Sequence, residues 1–169
     1  GPYQIYDANS PMLRGLAVRD GALLEAVLRV RDDRQAIREA MLAPGADVLL
    51  ISGGSSVGAE DHAPGLLAEM GELAIHGVAM RPSSPAGFGR LGGTLLFLLP
   101  GNPVSCLCAY DFFAGRALRL LGVRVGTLAR ADSALAVQVT APAGNRAVPV
   151  GGGGGGHHRG HHRRPPRRG

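Results

Sequence analysis

The stretch from Leu49 to Asp61, Leu49-Leu50-Ile51-Ser52-Gly53-Gly54-Ser55-Ser56-Val57-Gly58-Ala59-Glu60-Asp61, constrains the fold of this chain more than any other. An apolar run breaks there into a glycine-serine loop that ends on two carboxylates. Asp47 to Ile51 is short, aliphatic and unalternated, which predicts a strand of a parallel sheet covered on both faces. Gly53, Gly54 and Gly58 remove side chains where backbone must turn sharply or approach a ligand, and Ser52, Ser55 and Ser56 add donors that suit an anion. Asp61 is placed to cap the helix that follows. Open α/β sheets bind ligands in the crevice at the carboxyl ends of their strands. Alone, the loop fits a connector that binds nothing equally well.

A second stretch, Leu99-Pro100-Gly101-Asn102-Pro103-Val104-Ser105, repeats the layout of apolar strand, rigid turn and helix start. Asn102 is a capping residue and Pro103 takes the first helical position. Val104, Cys108 and Phe112 share a face of the helix that runs on to Gly122. Upstream, Asn9-Ser10-Pro11 reads as a helix start, with a capping side chain and proline at the first turn, the helix stopping at Gly21. Ala22 to Val30 is the next strand, with Arg31-Asp32-Asp33 at its carboxyl end and Asp33 capping a helix from Arg34 to Leu42. After the glycine loop come a helix from His62 to Met70, stopped by Gly71, a strand from Ile75 to Met80, and Arg81-Pro82-Ser83-Ser84-Pro85, too proline-rich to be regular. Leu95 to Leu99 is the last core strand. Strand and helix patterns alternate, so the expected fold class is α/β, a largely parallel sheet with helices on both faces.

Three regions follow: residues 1–122 as the α/β domain, 123–150 as the start of a small β domain with antiparallel strands, and 151–169 as a tail. The tail, Gly/His/Arg-rich and without apolar residues, is expected to be disordered. Only eight residues precede Asn9, where a doubly wound unit normally has a strand. The chain is therefore expected to be a fragment whose strands at Ala22 to Leu28 and Asp47 to Ile51 are left exposed beside unpaired amides and stick.

The 169 residues are 45% hydrophobic and 4% aromatic, enough for one core. The net charge of +5 invites a nucleic-acid reading. All the basic residues are arginines, however, and Arg159, Arg163, Arg164, Arg167 and Arg168 lie in the tail. The folded part is balanced, which argues against a basic face for DNA or RNA. No signal peptide and no membrane-spanning run is present, which predicts a soluble, cytoplasmic protein. Cys106 and Cys108 sit two apart in a helix and point to different faces, so they form neither a disulfide nor a metal clip.

Taken together, the two loops, "QIYDANSPML" from Gln4, "RDD" from Arg31 and "HGVAMRP" from His76 resemble the molybdopterin molybdenumtransferases, the MoeA and gephyrin E-domain family. The resemblance covers the third, molybdopterin-binding domain of that family. It implies insertion of molybdate into adenylated molybdopterin with release of AMP, with molybdopterin-AMP and molybdate as substrates and Mg²⁺ as cofactor. Alternatives are a molybdopterin adenylyltransferase, which shares the fold, and a non-catalytic molybdopterin-binding module. By the same resemblance Asp61 binds Mg²⁺ or orients molybdate, Asp32 lines the crevice and Arg81 contacts an anion. Ser52, Gly53, Gly54, Ser55, Ser56 and Gly58 cradle phosphate or pterin, and Pro100, Gly101, Asn102, Pro103 and Ser105 shape the molybdate side. The implied partners are a molybdopterin adenylyltransferase upstream in the pathway and a second subunit in a full-length homodimer. Where family members carry a lysine-proline-glycine-lysine-proline run, this chain has Arg81-Pro82-Ser83-Ser84-Pro85 and keeps one cation of two.

Overall fold

The computed structural model describes residues 6–43, 46–53, 61–127, 136–142 and 146–147, with side chains over 7–43, 46–53 and 61–122. The loop residues Gly54, Ser55, Ser56 and Gly58, and the tail at 151–169, lie outside the described residues.

Local signals set most elements. Strand β1 (Tyr6–Asp7) leads into helix α1 (Asn9–Arg19), strand β2 (Leu23–Val30) into α2 (Arg34–Leu42), and β3 (Val48–Ser52) through the glycine loop to α3 (His62–Met70). The α2 start is as the sequence predicts: Asp33 accepts the Ala36 amide at 2.9 Å. At α1 Ala8 stands at the N-cap position without a capping side chain, and Asp7, one residue earlier, supplies the cap by accepting the Ser10 amide at 3.0 Å, while Asn9 and Ser10 lie in the first turn. Asn9 is engaged elsewhere.

Strands β4 (Glu72–His76), β5 (Gly87–Leu91) and β6 (Thr94–Leu99) follow, then α4 (Pro103–Ala109), a π-helical turn (Tyr110–Ala114), α5 (Gly115–Thr127), β7 (Ala136–Pro142) and β8 (Arg146–Ala147). The main sheet has the order β2-β7-β3-β6-β5-β4. Its first four strands are parallel, and β5 and β4 are antiparallel additions. Strand β4 starts directly after Gly71, earlier than the strand expected at Ile75 to Met80. Leu91 pairs with Thr94 across the two-residue turn Gly92-Gly93, and a connection that short leaves β5 only the antiparallel side of β6.

The buried strand β3 explains why its sequence does not alternate. Val48 and Leu50 enter a core with Leu13, Ala17, Phe97, Leu99, Cys106, Tyr110 and Leu118. Leu49 and Ile51 enter the opposite core with Met41, Ala63, Leu66, Leu67, Leu96 and Leu98. Helices thus cover both faces, α1, α4 and α5 on one and α2 and α3 on the other. The α4 face differs from the simplest reading of its periodicity. Val104 is 63% and Phe112 60% exposed, whereas Cys106, Ala109, Tyr110, Ala114 and Leu118 are buried. Small residues at 106, 109 and 114 let the backbone approach the sheet, with Tyr110 and Leu118 filling the space beside them and Val104 and Phe112 left outside.

The alternating segment expected to form antiparallel strands beyond residue 123 does something else. Ala136–Pro142 lies between β2 and β3 and pairs parallel with both, Val139 standing beside Val27 on one side and Leu50 on the other. The interior slot expected to be left open by a missing upstream strand is filled, and all five residues of β3 are buried. The backbone reason is hydrogen bonding: β2 and β3 would otherwise each present an unpaired row of amides and carbonyls to one gap.

Candidate functional site

Gly53, where the glycine loop begins, and the turn after Leu99 meet at the carboxyl ends of β3 and β6. The strands pair in full register from Val48 beside Leu95 to Ser52 beside Leu99, so both chains leave the sheet together. The Gly53 amide then donates to the Leu99 carbonyl at 3.0 Å, and Gly53 has φ +83, a left-handed conformation that glycine adopts without a Cβ clash. A Cβ on Gly101 would stand 3.6 Å from the Gly53 Cα, so the two glycine backbones lie against each other. Ser52 is 1% exposed, Pro100 is buried, and Gly101, Asn102 and Pro103 are exposed.

A third chain segment holds this junction. The Asn9 side chain donates from Nδ2 to the Gly101 carbonyl at 2.9 Å, tying the start of α1 to the turn after β6. Asp7, which caps α1, is 1% exposed, and its Oδ2 lies 3.8 Å from the Arg29 guanidinium on β2. Burial, followed by the Asp7 charge, pushes the Cys106 thiol up to about 12. That cysteine is an inert core residue, as its sequence context implied.

The first turn of α4 forms the other wall. Asn102 Oδ1 accepts from the Val104 and Ser105 amides at 3.1 and 3.2 Å and from Ser105 Oγ at 3.4 Å. Capping therefore occupies Asn102 Oδ1 and leaves its amide group toward the exposed side. Ser83 Oγ donates to the Ser105 carbonyl at 2.6 Å, which brings the Arg81 loop against α4 with the Arg81 side chain exposed. Sequence reasoning placed Arg81 but missed Ser83 and Asn9, the residues that dock these loops. Their partners are 22 and 92 residues away, so no local pattern marks them.

Ser83 is strained. It has φ +104 and is 3% exposed, at the position where the family run has glycine. Ser83→Gly removes the Cβ clash but loses one hydrogen bond, whereas Ser83→Ala keeps the strain and loses the bond. The glycine variant is expected to be more stable than the alanine variant by about 1–2 kcal/mol in denaturant titrations. Equal stabilities of the two would show that the serine conformation costs nothing here.

Asp61 stands at the N-cap position of α3, partly exposed, with extended backbone and no side-chain capping bond. Asp33 bonds the first turn of its helix, and Asp61 makes no such capping bond. Asp32 is exposed at the end of β2, which β7 separates from β3. Two strand spacings place it on the order of 10 Å from the β3 backbone, at the same edge of the sheet but not in contact with the glycine junction. Among the described residues no group of three His, Cys, Asp or Glu could hold a metal. A single carboxylate nevertheless fits Mg²⁺, which keeps several waters and takes one or two protein ligands beside substrate phosphates.

With this junction in view, the comparison with known proteins is direct: residues 2–119 match the MoCF_biosynth family, described as a probable molybdopterin binding domain. The chain belongs to that molybdopterin-binding family. It is 36% identical over 155 residues to molybdopterin molybdenumtransferase 2 of Mycobacterium tuberculosis, covering 86% of this chain and 38% of that protein. It is 32% identical over 117 residues to the molybdopterin molybdenumtransferase of Bacillus subtilis, covering 66% of this chain and 27% of that one. The chain thus spans well under half the length of these relatives. Among solved structures, a molybdopterin biosynthesis protein of Mycobacterium abscessus superposes with TM-score 0.58 at 20% identity, covering 73% of this chain and 89% of that one. The MoaB enzyme of Thermus thermophilus does so with TM-score 0.56 at 23% identity, covering 69% and 86%. These two share the fold. No helix among the described residues is long and apolar enough to cross a membrane.

Proposed function

We propose that this chain provides the molybdopterin-binding domain of a molybdopterin molybdenumtransferase, a protein that inserts molybdate into adenylated molybdopterin and releases AMP. The observation that carries the reading is the contact of Gly53 with the turn at Gly101, held by Asn9, in a chain 36% identical to a molybdenumtransferase. Backbone amides at paired strand ends, freed of side chains, suit phosphate or a pterin plane. At the start of α4 the Asn102 amide group, held in place by the Ser105 contacts to its Oδ1, offers donors where a helix dipole favours an oxyanion, and Arg81 can fork onto the same anion.

In this reading Asp61 holds Mg²⁺, which when bound neutralises phosphate and molybdate charge, and Asp32 lines the rim of the crevice. Ser52, Gly53, Gly54, Ser55, Ser56 and Gly58 surround the cofactor precursor. An adenylyltransferase supplies the adenylated substrate, and the complete enzyme works in the cytoplasm as a homodimer.

The test is a pair of measurements on wild type and Asp61→Ala. Molybdopterin binding is measured on this chain, and AMP release with molybdate and Mg²⁺ on a protein of the relatives' length carrying the domain. Asp61→Ala is expected to lower AMP release by about 100-fold or more, the scale for losing one preorganised charge partner. Its folding should change by about 1 kcal/mol at most, the usual scale for one side chain at a helix start. Undiminished AMP release would sink the role of Asp61, and failure of the wild-type chain to bind molybdopterin would sink the reading itself.

A further inference from the structure

The free edge of β2 carries a pattern that the site does not use. Leu23–Val30 ends the sheet, with β7 on one side and, among the described residues, no strand on the other. Exposure alternates along all eight residues, so Leu23, Glu25, Val27 and Arg29 stand out while their neighbours are half-buried. The bulge at Glu25 in the pairing with β7 leaves that alternation intact. Leu23 is 59% and Val27 38% exposed. An edge this long, without proline, glycine or lysine, is a template for another strand.

The exposed set is complementary to itself. In an antiparallel pair about a two-fold axis through Val27, Val27 faces Val27 of a second copy. Glu25 then faces Arg29 of the second copy, and Arg29 faces its Glu25. Moving the axis to Ala26 sets Glu25 opposite Val27 and Leu23 opposite Arg29, and both charge pairs are lost. Directly opposed unlike charges and aliphatic pairs stabilise adjacent strands, and a two-fold axis uses one surface twice. The contact of Arg29 with Asp7, at 3.8 Å, is too long for a hydrogen bond, so guanidinium donors remain for the second copy.

We infer that β2 is a self-association edge, joining two copies of this chain antiparallel in the register that pairs Glu25 with Arg29. The two sheets become one continuous sheet. The glycine junction lies on strands interior to each sheet and stays open.

Sedimentation velocity on the intact chain, over a concentration series, tests this. A monomer–dimer equilibrium is expected. Glu25→Arg, which turns two attractive pairs into repulsive ones, should lower the association constant by about tenfold or more, and Glu25→Arg with Arg29→Glu should restore it. Because Arg29 stands near buried Asp7, a second measurement avoids the charges. Val27→Cys in a Cys108→Ser background should form a disulfide-linked dimer on mild oxidation, and Ala26→Cys in the same background should not. A chain monomeric throughout, a dimer indifferent to Glu25→Arg, or a Val27→Cys protein that does not cross-link overturns the inference.

Discussion

Alanine at Gly89 is expected to lower the free energy of unfolding by about 3 kcal/mol, at the upper end of the cost of overpacking, although it adds one methyl group. Gly89 lies in the middle of β5, paired with Leu73 of β4 on one side and Leu96 of β6 on the other. A Cβ there would fall 2.0 Å from the Glu72 carbonyl oxygen and 3.0 Å from Leu67 Cδ2 of α3. The oxygen is backbone and cannot swing aside as a side chain does. Strand β5 cannot retreat either, because its other edge is in unbroken register with β6. The irregularity between Leu73 and Ile75 in β4 accompanies this close approach, and glycine tolerates it. Gly65, on the exposed side of α3 with nothing within 4 Å of its Cβ position, is the control. Gly65→Ala should stabilise by about 0.5–1 kcal/mol through helix propensity alone. Urea titration followed by far-ultraviolet circular dichroism measures both, and a neutral Gly89→Ala would mean that β4 does not lie where the register places it.

Asp20→Asn is expected to cost about 2 kcal/mol near neutral pH and much less in acid. Asp20 follows α1 with a side chain 4% exposed. It accepts from Arg19 at 3.1 and 2.9 Å, from Tyr110 OH at 3.0 Å, and pairs with Arg119 at 2.9 Å. Arg19 also reaches Asp111 at 2.8 Å. The cluster therefore ties the end of α1 to the π-helical turn and α5. Burial pushes the Asp20 carboxyl up, but hydrogen bonds from Arg19, Arg119 and Tyr110 outweigh it and hold the group below its ordinary value of 3.8. Burial and then the Asp20 hydrogen bond push the Tyr110 phenol well above its usual range, so it stays a donor.

The sign of the pH dependence follows from the depressed carboxyl. Its contribution is complete above the unfolded value and is lost as pH falls through the lower folded value. The stability difference between wild type and Asp20→Asn should hold from pH 7 to about pH 5 and shrink below pH 4. The cost stays below the roughly 3–5 kcal/mol of a fully buried broken pair because Arg19 and Arg119 are about half exposed and find water. A difference that does not change with pH would show that the charge of Asp20 contributes nothing beyond its shape.

The amino-acid sequence by itself determined what short-range physics can determine. Helix α2 begins where the Asp33 carboxylate meets an amide three residues on, and α4 where Asn102 does the same, because both bonds close within one turn. Strand β3 was legible because all five of its residues are apolar or small and all are buried, and the glycine loop after it marked the end of the sheet where the site lies. Family membership was legible because it rests on these loops and their order. Several things were not, each for a reason of distance or of choice between equivalent faces. Strand β5 was hidden because its two glycines leave no clean period, and β4, only partly buried, was expected later than it starts. Helix α4 is apolar on more than one face, so its own pattern could not say that Cys106, Ala109 and Tyr110 turn inward while Val104 and Phe112 remain outside. The bond from Asn9 to Gly101 and the slot that β7 fills span most of the chain. Only the assembled sheet, with two rows of backbone groups facing one gap, decided what lay between β2 and β3.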